Sequence, residues 1–133
     1  MRLLLAASLL VLVAGETLEW FQYKVAPLAE ECKEETSATE DDIRKVLERQ
    51  DPDTRASQCL LACVYRRLGG MTRSGLASSD ELRDSLLELY RDSAYKQGQV
   101  GLIVDRCSPA VEQQPDVCLK ARKLFECIRE NVY

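Results

Sequence analysis

Apolar residues recur every three or four positions along most of this chain, the spacing of one face of an α-helix. The first such stripe consists of Leu18, Phe21, Val25, Leu28 and Cys32. No run of four or more residues alternates between apolar and polar side chains as a half-buried strand would. The pattern therefore predicts an all-α fold of about six helices joined by short loops.

Local signals set the boundaries of the first two helices. Pro27 lies inside the first apolar stripe, where it removes one N–H, so we expect a kink there. Thr39 precedes three acidic residues, as expected for a helix N-cap with acids in the first turn. This second helix should end near Gln50, because Asp51 precedes Pro52 and is restricted away from helical geometry.

The third and fourth helices have clearer signals at their ends. The third is predicted to begin near Thr54 and to stop at the glycine pair of residues 69–70. Ser78, with Glu81 three residues later, fits a capping box at the start of the fourth helix. That helix should run to about Tyr90.

The last two helices are predicted around a proline and an aspartate. A linker at residues 96–98 should precede a fifth helix that ends before Pro109, because proline cannot continue the hydrogen-bond ladder. Asp116 is placed to begin the sixth helix, which runs toward the end of the sequence.

Two pairs of cysteines cannot bridge within their own helices. Cys59 and Cys63 lie four residues apart, so their side chains share one helix face with nearly parallel Cβ bonds. Cys118 and Cys127 would be separated by about 13 Å at a rise of 1.5 Å per residue, which is too far for a disulfide. Each of these four residues needs a partner on another element, and geometry leaves several pairings open.

The N-terminus indicates the compartment. A positive charge at Arg2, an apolar run at residues 3–13 and small residues before Glu16 fit a secretory signal peptide. We predict a signal peptide at residues 1–15 and a single secreted, extracellular domain at residues 16–133. Six cysteines in a small secreted domain predict three disulfides.

Composition argues against several classes of function. The chain has 18 Lys and Arg against 22 Asp and Glu, for a formal net charge of −4, which disfavours nucleic acid and anionic membranes as partners. It contains no histidine, so the Ser-His and Cys-His nucleophile arrangements cannot form. The acidic pairs at residues 34–35 and 41–42 flank predicted helix ends, where a solvated role is simpler than acid–base catalysis. We expect no enzyme, no cofactor and no metal site.

The cysteine spacing carries a family resemblance. Between successive cysteines lie 26, 3, 43, 10 and 8 residues. With the signal peptide and the all-helical pattern, this spacing resembles the six-cysteine insect odorant-binding protein family, of the pheromone and general odorant-binding type. The resemblance covers essentially the whole mature chain. It implies helices around an apolar cavity and the disulfides Cys32–Cys63, Cys59–Cys118 and Cys107–Cys127.

The resemblance also implies a function. It points to a secreted carrier that reversibly binds a small hydrophobic ligand, such as an odorant, a pheromone or another lipophile. A chemosensory receptor is a further candidate partner, and the chain is expected to be a monomer or weak homodimer without membrane insertion. The alternative is a secreted helical signalling or defence protein whose apolar faces are all packed core. A histidine-independent hydrolase would need a convergent acid pair that the sequence does not offer.

The candidate pocket lies mainly on the fourth, fifth and sixth helices, with the third helix as a fixed wall. From the residues alone, mutual packing in a core is the simpler interpretation, while the resemblance favours a pocket for the set as a whole. The predicted ligand-binding residues are Val64, Leu68, Leu82, Leu86, Leu89, Tyr90, Val100, Ile103, Val104, Leu124, Phe125, Ile128 and Tyr133.

Two features depart from the pattern of similar proteins. Lys123 and Glu126 stand where related chains often present apolar side chains, so they either make the pocket partly polar or form a surface ion pair. Only six residues follow the last cysteine, so at most Val132, Tyr133 and the terminal carboxylate can act as a lid. Without histidine, acid-triggered release has to work through carboxylates. Our hypothesis is that protonation of the Tyr133 terminal carboxylate or of a nearby glutamate opens the lid. Ligand affinity that is unchanged between about pH 7 and pH 4.5 contradicts it.

Overall fold

The computed structural model describes residues 20–132. Within that range it consists of helices joined by loops, with one isolated bridge between Met71 and Leu76. The predicted signal peptide at residues 1–15 and the predicted lid residue Tyr133 lie outside the described residues. The helices are α1 (residues 20–36), α2 (Glu40–Leu47), α3 (Arg55–Leu68), α4 (Ser79–Leu89), α5 (Ala94–Glu112) and α6 (Val117–Val132). The prediction of an all-α fold with about six helices is confirmed.

Helices α2 and α3 begin at the predicted threonines. Thr39 and Asp42 form a reciprocal capping box, as do Thr54 and Ser57. Asp42 is buried, and its second carboxylate oxygen accepts a hydrogen bond from the Thr54 hydroxyl at 3.1 Å. The starts of the two helices are therefore tied together by one carboxylate. Ser78 likewise accepts from the backbone N–H of Glu81 at the start of α4.

Three helices end in the left-handed conformation: α1 at Ser37 (φ +58°), α2 at Arg49 and α3 at Gly69. Gly69 has φ +91° at the end of α3, as glycine commonly does at this position. At the end of α2, Arg49 has φ +56°, and the next amide, Gln50 N, donates to Lys45 O at 2.8 Å. The second arrangement closes the helix in the same way but places an arginine where glycine is usual.

Helix α5 differs from the sequence prediction at both ends. The expected linker at residues 96–98 lies inside the helix, and the helix continues through Pro109. Cys107 and Val111, on either side of the proline, are fully buried, while Pro109 itself is exposed. Burial of these flanking side chains outweighs the missing N–H, since the proline ring points to solvent and displaces nothing in the core. Helix α1 also continues through Pro27.

Three disulfides connect the helices. They are Cys32–Cys63, Cys59–Cys118 and Cys107–Cys127, with Cα atoms 5.9, 4.5 and 5.8 Å apart, which confirms the implied pairing. Helix α3 is thus bonded to α1 through one cysteine and to α6 through the other. Helix α6 is bonded in turn to α5.

The core forms where the central helices meet. Helix α6 packs against both α3 and α5, α4 packs against α5, and α2 packs against α3. The five largest fully buried side chains come from α3, α4, α5 and α6: Leu60, Leu82, Leu86, Ile103 and Leu124. Within residues 20–132, no helix is both long enough and apolar enough to cross a membrane.

Candidate ligand cavity

A cavity of about 170 Å³ lies among five of the six helices. Its lining comes from α1, the end of α2, the second half of α3, the end of α4 and the second half of α6. The lining residues are Phe21, Val25, Val46, Arg49, Leu61, Val64, Tyr65, Leu68, Leu89, Tyr90, Phe125, Ile128 and Arg129.

The cavity is almost wholly apolar, and its size sets what it can hold. An engineered apolar cavity of about 150 Å³ in another protein stays dry and binds benzene, so a void of this size accepts a small apolar molecule. Drug-sized ligands typically occupy pockets of about 300–1,000 Å³. A ligand much larger than benzene therefore requires the walls of this cavity to move apart.

Helix α1 forms one wall through Phe21 and Val25, which belong to the apolar stripe found in the sequence. The helix is held in place at both ends. Its last turn carries Cys32, and at its start the Trp20 indole N–H donates to Glu88 O at 3.2 Å. Phe21 is thereby fixed over the cavity.

Helix α3 supplies the largest share of the wall. Leu61, Val64, Tyr65 and Leu68 follow one another at spacings of three, one and three, so they share one face of the helix. Cys59 and Cys63 anchor the same helix to α6 and α1. The helix therefore serves both as the cross-linked centre of the fold and as a ligand-facing surface.

Two arginines interrupt the apolar lining. The guanidinium of Arg49 lies 4.1 Å from the centre of the Phe21 ring, and that of Arg129 lies 5.3 Å from the Phe125 ring. Both distances are within the range of cation–π attraction. Arg129 is exposed, so the cavity reaches the surface beside it.

Of the residues predicted from sequence to bind ligand, six line this cavity: Val64, Leu68, Leu89, Tyr90, Phe125 and Ile128. Six others are buried in the core and do not line it: Leu82, Leu86, Val100, Ile103, Val104 and Leu124. Helix α5 packs against α4 and α6, which encloses its apolar face on both sides. Ligand contact by any of these residues stays a prediction.

Most cavity residues from the first half of the chain were not predicted from the sequence. Those residues are Phe21, Val25, Val46, Arg49 and Leu61, and Arg129 was missed near the end. Tyr65, which also lines the cavity, is not among the predicted ligand-binding residues. One available signal was aromatic content, because the chain has two phenylalanines and both line the cavity.

The polar pair on α6 lies outside the cavity lining. Lys123 Nζ and Glu126 Oε2 are 4.0 Å apart, and Arg122 Nε donates to Glu126 Oε1 at 3.1 Å. The surface ion pair is therefore the correct alternative for Lys123 and Glu126. They do not make this cavity polar.

A second, polar depression of about 310 Å³ lies on another side of α3, next to two of the disulfides. Glu35 there accepts two hydrogen bonds from Arg66, at 2.6 and 2.9 Å. The Arg66 hydrogen bond holds the pKa of Glu35 below its ordinary value. Because Glu35 and Arg66 in this depression already pair with each other, the apolar cavity is the better candidate site. Among the described residues, no cluster of three or more His, Cys, Asp or Glu side chains could hold a metal ion.

Comparison with known proteins gives relatives along nearly the whole described chain. A model of the PBP/GOBP family matches residues 14–131. General odorant-binding protein 19d of Drosophila melanogaster is 32% identical over 107 residues, which cover 80% of this chain and 71% of that protein.

Solved structures agree with these matches. A pheromone-binding protein from the cockroach Leucophaea maderae, crystallised with the fluorescent reporter 1-anilinonaphthalene-8-sulfonic acid, superposes with a TM-score of 0.75 at 29% identity. The match covers 84% of this chain and 95% of the cockroach protein. An odorant-binding protein from Drosophila melanogaster superposes with a TM-score of 0.64 at 22% identity, over 86% of this chain and 93% of that one, and supports the fold alone. The matched residues, the helical fold and the three disulfides lead to one conclusion: the chain belongs to the PBP/GOBP family.

Proposed function

We propose that this protein is a secreted carrier that takes up a small hydrophobic molecule from water, holds it in the apolar cavity and releases it unchanged. The observation that carries the proposal is the cavity itself, bounded by five helices and lined almost wholly by apolar side chains. Transfer of apolar surface from water into such a space is favourable, by roughly 25 cal/mol per Å². The mechanism is binding and release, without a chemical step.

Membership of the family supports this proposal. The cockroach pheromone-binding protein was crystallised with a naphthalene-based fluorescent reporter, which has a larger apolar body than benzene. A comparable ligand would fit here if the cavity expanded. The lining includes Leu68 and Phe125, which are only partly buried, and the exposed Arg129. Odorants, pheromones and other lipophiles are the ligand classes we propose.

Secretion is part of the same proposal. The predicted signal peptide and the three disulfides both fit an oxidising, extracellular environment. A carrier outside the cell needs cross-links more than a packed protein does, since an empty cavity gives up packing energy.

A titration with a neutral fluorescent probe tests the carrier proposal. Residues 16–133, oxidised and folded, would be titrated with N-phenyl-1-naphthylamine, whose emission rises in apolar surroundings. We expect saturable binding at one site per chain, and displacement by small alcohols, ketones or esters. Reduced and unfolded protein is the control, because it has the same composition without the cavity. No saturable binding across a chemically broad panel would instead favour a signalling or defence protein with a closed core.

A further inference from the structure

We infer that the cavity selects amphipathic anions, with the apolar body of the ligand inside and a carboxylate or sulfonate held by Arg49. This inference rests on the proposed carrier function and names the ligand class for the same site. It depends on the charge of the lining, on the position and backbone of Arg49, and on the exposure of Arg129.

The charge of the lining is the first step. Among the described residues that line the cavity, two are arginines and none is an aspartate or glutamate. The chain as a whole carries a net charge of −4, so the positive charge of the lining is opposite in sign to the net charge of the protein. Guanidinium groups stay protonated at any relevant pH and bind planar anions through paired N–H donors.

The position of Arg49 is the second step. Its side chain is half-buried and its guanidinium lies 4.1 Å from the Phe21 ring centre, so the ring holds the charge at the cavity wall. A guanidinium beside an aromatic ring can also attract an anion, because its N–H donors lie in its plane and not on its faces. In apolar surroundings, a charge-assisted hydrogen bond from this group to an anion is stronger than one in water.

The backbone at Arg49 is the third step. The residue closes α2 with φ +56°, in a position where glycine is the usual and less strained choice. Ser37, at the end of α1, has the same conformation, and Arg49 is the one of the two whose side chain lines the cavity. The left-handed turn directs the arginine side chain from the end of α2 to the cavity.

Arg129 is the weaker candidate for the ligand head group. It is exposed, and its guanidinium lies 4.0 Å from Asp51, which is also 3.8 Å from Arg122. Water screens the charge of Arg129, so its hydrogen bond to an anion is weaker than one from the half-buried Arg49. Because Asp51 also lies near Arg122, its own charge is offset and does not exclude an anion from the cavity.

A pair of probes that differ by one sulfonate tests the inference. N-Phenyl-1-naphthylamine and 1-anilinonaphthalene-8-sulfonate share the same aromatic body, and only the second is an anion. Both would be titrated into the wild type, Arg49→Gln and Arg44→Gln. Arg44 lies on the exposed side of α2, so Arg44→Gln makes the same change of net charge away from the cavity.

We expect Arg49→Gln to weaken binding of the sulfonate probe by about tenfold or more, because one charge-assisted hydrogen bond is lost. Binding of the neutral probe should weaken by less than about twofold. Arg44→Gln should change neither. Arg49→Lys, which keeps the charge, should restore part of the sulfonate binding and serves as a second variant if the glutamine protein folds poorly. Competition between decanoate and decanol for the neutral probe gives the same comparison with aliphatic ligands.

The outcomes separate this inference from the carrier proposal. If the wild type binds the neutral probe but not the anion, or if Arg49→Gln weakens both probes equally, the inference is overturned and the carrier function stands. Equal sulfonate binding by the wild type and Arg49→Gln also overturns it. If neither probe binds the wild type, the carrier proposal itself fails.

Discussion

Val64 and Val104 have the same chemistry and almost the same burial, but different surroundings. Their exposed fractions are 2% and 3%. Val64 lines the cavity, whereas Val104 lies on α5 between the helices that pack against it. The two valines therefore test whether the cavity is a true void.

We expect Val104→Phe to destabilise the fold by about 1–3 kcal/mol, the usual cost of forcing a larger side chain into a filled core. Val64→Phe should cost much less or stabilise the fold, because the ring extends into the void and regains packing. The same Val64→Phe change should weaken probe binding. Denaturant unfolding and probe titration of both variants provide the measurements. A Val64→Phe protein as destabilised as Val104→Phe would show that the walls are already closed.

Helix α5 shows how an element is decided by its neighbours. Its sequence contains two interior glycines and a proline, which favour shorter helices or loops. It nevertheless runs for 19 residues, because its buried side chains are enclosed by α4 and α6 and Cys107 is bonded to Cys127. Tertiary packing maintains this helix against its local propensity.

The two glycines of α5 can therefore be replaced with a gain in stability. A methyl group at Gly98 or Gly101 would meet no atom within 4 Å, and both positions are exposed. We expect Gly98→Ala and Gly101→Ala each to stabilise the protein by about 0.5–1 kcal/mol, since alanine loses less backbone entropy in a helix. Gly69→Ala is the matched control, because φ +91° there strains any side chain and the change should destabilise. Thermal unfolding of the three variants decides the matter, and a loss of stability at both helical glycines would contradict this account.

At the scale of the whole molecule, cross-links and cavity have comparable energies. A void of about 170 Å³ forgoes about 4 kcal/mol of packing, at roughly 24 cal/mol per Å³. The disulfides span 31, 59 and 20 residues, and each contributes about 3 to 4 kcal/mol in the chain-entropy model. One disulfide is therefore enough to offset the empty space.

The stability of the whole molecule should also decrease at acidic pH. The hydrogen bond from Arg66 lowers the pKa of Glu35, and the backbone N–H of Leu119 lowers that of Asp116 at the start of α6. A carboxylate with a lowered folded-state pKa stabilises the fold above its unfolded pKa and loses that contribution as the pH falls through its folded pKa. The loss should therefore begin below about pH 4.5, the ordinary value for glutamate.

Glu35→Gln isolates part of this dependence. At pH 7 we expect it to destabilise the protein by about 0.5–1 kcal/mol, a value kept small because the pair with Arg66 is partly exposed. As the pH falls below about 4.5, the difference in stability between the variant and the wild type should shrink, since the charge of Glu35 contributes less as its carboxyl is protonated. Glu34→Gln, at the exposed neighbouring position, is the control and should have little effect. Urea unfolding as a function of pH measures the difference, and a constant gap between pH 7 and pH 3 would argue against a charge effect.

The sequence by itself determined the helical class, most helix boundaries and the need for disulfides between helices. The reason is that these depend on local patterns: apolar spacing, the threonine caps at Thr39 and Thr54, and glycine at position 69. The pairing of the cysteines came from family resemblance, because helix geometry excluded some pairs without selecting one.

The tertiary structure alone decided which apolar faces enclose a void and which enclose each other. Leu89 and Leu86 stand on the same helix with similar burial, yet the first lines the cavity and the second fills the core. It also decided that the strained turn at the end of α2 brings Arg49 to the Phe21 ring, 28 residues away in sequence. A void forms where the side chains of several packed helices leave space unfilled, so no single stretch of sequence encodes it.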